Sequence, residues 1–425
     1  MAENKQRYHS LDALRASALL LGIFFHAAES FCPDRFSWAV VDPQAHWAFE
    51  YFQHALHSFR METFYLIAGF FAHLVVQQRG LRAFISNRLS RIAVPFVVGW
   101  IILYPAMILI WIWGRLQMGR LDLLGLPAGS QGISPVTAWV GFFLSGEFLG
   151  DNFNLVHLWF LYYLLLLYTA FLTLRFLVAR LPRSLHLLRG ADQIVARVMT
   201  APWRAGILAV PTAFLVHLMG GWVRTPNNSL VPDPRVLLTY ALFFGLGWMI
   251  HRQTELLDTF RSRWALNLGV GIVLSLATFF GRQLGALLDP AGEHQALLSL
   301  VHMLVYALTM WVLTFGFCGL VMHYFSSESP CWRYIADSSY WLYLSHLVIV
   351  VPLQILVSQM PWAVPLKYIA INLVAFPILF ASYELLVRGT FIGKQLNGRK
   401  FPHFRLRNTI DLGTKTGTES PGWRA

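Results

Sequence analysis

Apolar runs long enough to cross a hydrocarbon core recur from Leu11 to Val387, with short charged segments between them, and nothing constrains the fold of this chain more. A segment in lipid has to satisfy its own backbone polar groups, so about twenty apolar residues in a row predict a helix. With 56% hydrophobic and 13% charged residues among 425, the chain reads as an all-α polytopic membrane protein. Ten spans are expected, at 11–31, 52–76, 92–113, 155–178, 205–219, 236–250, 264–280, 296–322, 335–357 and 366–387. The net charge of +12 would suit nucleic acid, but the basic residues follow topology instead, and no nucleic-acid partner is expected. If the N-terminus is inside, most of the 33 Lys and Arg fall on cytoplasmic segments, and only Arg35, Arg115, Arg120, Arg224, Arg235, Arg282 and Lys367 fall outside. That bias predicts both termini in the cytoplasm.

The stretch 136–149 is apolar but too short to span, and counting it would invert every later loop against the charge bias, so an interfacial or re-entrant element is expected there. The first apolar run is superficially like a signal peptide, yet Asp12 and Arg15 interrupt it and no convincing cleavage site follows, so it is expected to stay attached. Cys32, Cys318 and Cys331 fit neither a metal spacing nor a disulfide framework. Residues 1–388 are expected to form one transmembrane domain enclosing a polar cavity. Beyond it, 389–425 loses hydrophobicity and gains Lys, Arg, Gly and Thr, which predicts a disordered basic cytoplasmic tail. No internal repeat is visible, and this weakly disfavours a secondary transporter.

Ionisable residues inside spans are costly and usually line a polar pathway. Arg15 and His26 are eleven positions apart, about 20° out of phase on a helix and about 16 Å along its axis, so one face of the first span should carry both into one lumen. The plainer reading has Arg15 snorkelling at the rim and His26 satisfied by a backbone carbonyl. On the second span His54, His57 and Arg60 recur every three residues on one face, whereas Glu62 points off it. His157 and Trp159 open the fourth span, Trp159 by itself being equally a member of an interfacial belt. His346 lies near the middle of the ninth, and Glu384 is close enough to the rim for a structural role. Arg88 and Arg91 stand at the mouth of the third span, either as topological anchors or to capture a phosphorylated ligand. A proton or anion transporter using the same Arg and His residues is the competing class.

Taken in order, Arg15 and His26 in the first span, Phe64-Tyr-Leu-Ile-Ala-Gly-Phe-Phe71, Arg88-x-x-Arg91-x-x-x-Pro95 and the Ser345-His346 span resemble the membrane acyltransferase 3 superfamily. His57-Ser-Phe-Arg-Met61 and His157-Leu-Trp-Phe-Leu161 are similar to elements of a glucan-modifying subgroup, and the resemblance runs from Leu11 to about Glu384. It implies an integral enzyme of the bacterial inner membrane that takes an acyl group, succinyl in the subgroup, from cytoplasmic acyl-CoA to a hydroxyl of a periplasmic carbohydrate. Acyl-CoA is then a co-substrate, no permanently bound cofactor or metal is expected, and a homodimer is allowed. The resemblance makes His26 base or nucleophile and Arg15 its catalytic partner toward the donor. His57, Arg60, His157, Trp159 and His346 would contact substrate, and Arg88 and Arg91 the CoA phosphates. Ala68 stands before Gly69 where the family often has serine, so no hydroxyl role falls there.

Overall fold

The computed structural model describes residues 8–33, 37–120, 132–150, 153–182, 184–223, 226, 229–288, 293–398 and 400–401, and every described element is helical. The helices are α1 His9–Ala28, α2 Trp47–His57, α3 Arg60–Arg88, α4 Val94–Gln117, α5 Pro135–Leu144, α6 Trp159–Ala179, α7 Ser184–Thr200, α8 Arg204–Leu218 and α9 Pro234–Ile250. They continue with α10 Asp258–Arg261, α11 Trp264–Leu288, α12 Gln295–Tyr324, α13 Pro330–Ser345, α14 Leu347–Ser358, α15 Val364–Ser382 and α16 Phe391–Asn397. Among these residues six stretches are long and apolar enough to cross a bilayer, or eight if two bent pairs, 185–218 and 330–358, each make one crossing.

Three sequence expectations change. The span at 52–76 is two helices, broken at Ser58 and at Phe59, whose φ of −145° is not helical. The span at 335–357 is also two, α13 and α14, bent by 62° with His346 at the break. The tail does not begin at 389. Thr390 caps α16, whose Gly393 and Leu396 are buried, and Arg91 donates to the Asn397 carbonyl at its far end. The remainder of the expected tail, 402–425, lies outside the described residues. The short apolar segment near 136 is α5, held to α4 by the Trp139 indole donating to the Pro105 carbonyl at 2.8 Å.

Large apolar side chains cover the outside as well as the core. Val97, Val98, Ile101 and Ile102 on α4, Leu174, Phe176 and Leu177 on α6, and Ile272 and Val273 on α11 are all exposed, the pattern of a surface that faces lipid. The interior is aromatic, with Tyr65, Tyr163, Tyr240, Tyr306, Phe243 and Trp311 fully buried. Because lipid leaves no hydrophobic drive between helices, close approach depends on small residues. On α3 and α9 the two glycines are reciprocal: a Cβ on Gly69 would overlap the Phe244 carbonyl, and one on Gly247 the Leu66 carbonyl.

Gly69→Val is accordingly expected to force α3 and α9 apart. Overpacking costs about 1–3 kcal/mol, read as a lower thermal midpoint in detergent, while Gly190→Ala, where a Cβ meets nothing within 4 Å, should leave the midpoint unchanged or slightly raised.

Candidate functional site

A cavity of about 990 Å³ lies between α1, α2, α3 and α4, the turn before α6, and the α13–α14 break. Of the nine residues given a catalytic or substrate role from the sequence, His26, His57, Arg60, His157, Trp159 and His346 line it, and Arg15, Arg88 and Arg91 do not.

His26 sits near the C-terminal end of α1, where the last carbonyls of a helix lose their amide partners. Side chains from elsewhere replace several of them. Tyr368 Oη donates to the Phe24 carbonyl at 3.3 Å and Gln53 Nε2 to that of Phe25 at 3.1 Å. Gln354 Nε2, from α14, donates to the carbonyls of His26 at 2.8 Å and Ala27 at 3.1 Å. The Gln354 amide oxygen in turn accepts from the Trp38 indole at 2.9 Å. That ring lies parallel to the His26 imidazole, 7° off and 5.9 Å away. One turn beyond, Glu29 brings an oxygen to 3.8 Å from His26 Nδ1. The imidazole is therefore held through its main chain, along one ring face and beside a carboxylate.

Arg60 opens α3 just past the break after α2, and is only 7% exposed. Its guanidinium lies 4.2 Å from the centre of the Phe25 ring, a cation–π contact, and against Gly22, where a Cβ would come within 3.3 Å of Nη1. Its Nε and Nη1 are buried with no hydrogen-bond partner. An unsatisfied buried cation on a cavity wall calls for an anion or a developing negative charge. His57 Nε2 is 3.1 Å from the Val223 carbonyl, which only accepts, so that nitrogen carries the proton. His54, on the same wall, bonds Thr278 Oγ1 at 2.9 Å.

Opposite lies the α13–α14 break. His346 Nδ1 is 2.6 Å from the Tyr343 carbonyl, and His157 Nε2 is 3.1 Å from that of Leu344. Tyr343 Oη closes the loop by donating to the His157 carbonyl at 2.8 Å. The turn carrying His157 is strained: Val156, β-branched, has φ of +52° and is held by the Asn154 side chain accepting from its amide at 2.6 Å. The His346 ring is 5.1 Å from that of His26 and 5.2 Å from that of His157. Trp159 lines the cavity while stacking on Tyr240, 20° off and 6.2 Å away.

The other three residues lie away from this cavity. Arg15 shares a helix face with His26, but eleven residues of helix put it at the other end, its Nη2 3.8 Å from Asp12 and its side chain 40% exposed. The single lumen expected to hold both is therefore not this cavity. Arg91 caps α16 through Asn397, and Arg88 packs its guanidinium over Phe84 and Tyr168 with Nε buried and unpartnered. Glu62 is buried off the cavity, and Glu384 takes a hydrogen bond from Tyr334 and lies 3.7 Å from Arg388. Sequence reasoning missed Trp38, Gln53 and Gln354. A glutamine in the apolar run of α14 was the one available signal.

The family model described as "Acyltransferase domain" matches residues 8–384. The chain is 32% identical over 91 residues to "Glucans biosynthesis protein C" of Salmonella paratyphi B, and equally to that of Salmonella heidelberg. Each match takes in 21% of this chain and 23% of the relative, so the chain spans under a quarter of the length of these relatives. No solved structure matches.

Gln354→Met keeps the volume and removes the amide that donates to the His26 and Ala27 carbonyls, the first of which keeps the Glu29 amide. Leaving a buried acceptor under-satisfied costs about 1–3 kcal/mol. The His26 ring should loosen, and its carbethoxylation by diethyl pyrocarbonate, read by mass spectrometry, should quicken about tenfold by that estimate. An unchanged rate would show that Gln354 does not position His26.

Proposed function

The chain belongs to the acyltransferase family, and we propose that it is an integral-membrane O-acyltransferase carrying an acyl group from acyl-CoA to a carbohydrate hydroxyl. The observation that carries this is the convergence of His26, His57, Arg60, His157, Trp159 and His346, drawn from remote parts of the sequence, on one cavity. A thioester is already activated, so the protein has to bring the hydroxyl close, take its proton and stabilise the oxyanion. His26 faces the cavity with Glu29 beside it and serves as base or as nucleophile. Arg60, with two unpartnered donors, supplies the positive charge. Trp38, Trp111, Trp159 and Trp222 offer flat apolar faces, the surface on which a sugar ring packs.

The donor is succinyl-CoA by this reading, with Arg60 pairing the distal carboxylate. Arg15 and Arg88 take the CoA phosphates at the cytoplasmic end, and Arg91 adds charge there while holding α16. The acceptor is a periplasmic glucan, the reading favoured by the relatives' name. Ten crossings follow if the six apolar stretches and two bent pairs are joined by α9, and the run Trp47–Gln117 counts as two. Both termini are then in the cytoplasm and the protein resides in the bacterial inner membrane.

Purified protein in liposomes with a β-glucan acceptor should release CoA from succinyl-CoA. His26→Ala should lower that rate by about 10²–10⁴-fold, the range for a positioned proton-transfer group. Acceptor-dependent release unaffected by His26→Ala would remove the assignment of His26. No release of CoA from any donor, alongside solute flux through the liposomes, would favour a transporter instead.

Arg60→Leu tests the donor. A hydrogen-bonded charge is worth about 1.5–3 kcal/mol, so succinyl transfer should fall roughly ten- to a hundredfold further than acetyl transfer. Equal losses for the two donors would end the pairing of Arg60 with a distal carboxylate.

A further inference from the structure

His346 stands where α13 stops and α14 begins, and the 62° bend denies the Tyr343 and Leu344 carbonyls the amides that a continuous helix would bring them. Two imidazoles fill the gap, His346 Nδ1 on Tyr343 and His157 Nε2 on Leu344. A carbonyl oxygen only accepts, so both nitrogens carry protons. In a neutral imidazole the other nitrogen then keeps its lone pair. Those other nitrogens, His346 Nε2 and His157 Nδ1, are buried without a hydrogen-bond partner, and both residues line the cavity. The same break that opens the helix thus fixes a tautomer in which His346 presents an unprotonated nitrogen, on a ring 5.1 Å from that of His26.

We propose that His346, through Nε2, is the base that takes the proton of the acceptor hydroxyl, leaving His26 to carry the acyl group. This rests on the acyl-transfer reading above. In the first step a His26 nitrogen bonds to the thioester carbonyl carbon, the C–S bond breaks and CoA leaves as the thiolate. In the second the hydroxyl oxygen bonds to the acyl carbon as the C–N bond breaks and its electron pair returns to His26. The O–H bond breaks with it, the proton going to His346 Nε2 and from there to water. The Tyr343 carbonyl then plays the part of the group that orients a general base, holding the tautomer without bringing a charge.

His346→Asn retains a donor for Tyr343 and removes the basic nitrogen. In rapid mixing with the acyl-CoA donor it should still release about one CoA per protein, while acceptor-dependent turnover falls by about 10²–10⁴-fold. The acyl group should be found on His26 by mass spectrometry. His346→Ala should show the same block, with turnover restored by added imidazole entering the space left in the cavity. Should His346→Asn turn over at the wild-type rate, or should either variant, with an unshifted thermal midpoint, lose the first CoA release together with turnover, the assignment is overturned. Where neither variant folds, trapping the acyl group on His346 or on no histidine in the wild-type protein overturns it. Wild-type protein releasing no CoA from any donor would instead count against the acyl-transfer reading itself.

Discussion

Backbone carbonyls that lose their helical partners away from water must find others, and that requirement organises this molecule. It arises at the end of α1 and at the α13–α14 break. At the first, Tyr368, Gln53 and Gln354 reach in from three other helices and donate to Phe24, Phe25, His26 and Ala27, the His26 carbonyl also accepting from the Glu29 amide. At the second, His346 and His157 do so for Tyr343 and Leu344. The groups that repair the backbone are the same groups, or the immediate supports of the groups, that line the cavity. The cavity, the helix end and the helix break are in this sense one structural solution, and loosening either of the last two disturbs the cavity wall.

A second constraint fixes the segment between α1 and α2. Lys367 Nζ lies 2.7 Å from Asp42 with both side chains essentially buried, and also donates to the Ser358 carbonyl at 3.1 Å. Buried ion pairs gain little over apolar packing, but losing one partner strands a charge at a cost of about 3–5 kcal/mol. The pair therefore acts more as a register pin than as a source of stability. It holds the chain that carries Trp38 against α14 and α15, where Trp38 meets both Gln354 and the His26 ring.

Much of the site was legible because lipid makes polar residues conspicuous. His26, Arg60, His157 and His346 stood out as costly groups within apolar runs, and six of the nine residues given a role from the sequence share the cavity. The failures have physical causes. Helical phase put Arg15 and His26 on one face, but phase says nothing of depth, and the cavity occupies one end only. The α2–α3 and α13–α14 breaks carry no proline or glycine at the joint, so hydropathy merged each pair into a single span. Trp38 lies outside any span and Gln354 is neutral, so neither registers in a search for charge, although both touch His26 or its supports. The helix α16 was hidden in a basic stretch, since its Thr390 cap is local but the Arg91 guanidinium that holds its far end comes from a segment remote in sequence.

On the proposed acyl-transfer reading, the distance between the arginine end of α1 and its histidine end sets the reach that a donor needs. Residues eleven apart on a helix are separated by about 16 Å along its axis. A donor whose phosphates rest near Arg15 and Arg88 therefore needs a long, slender arm to bring its thioester to His26, and CoA carries its thiol at the end of such an arm. The 990 Å³ cavity need then admit only the acyl end of the donor and part of the acceptor, within the range of ordinary ligand sites. On that reading, separating a charged grip from the cavity also keeps the donor's phosphates away from Arg60, which stays available for the charge of the acyl group or of the transition state.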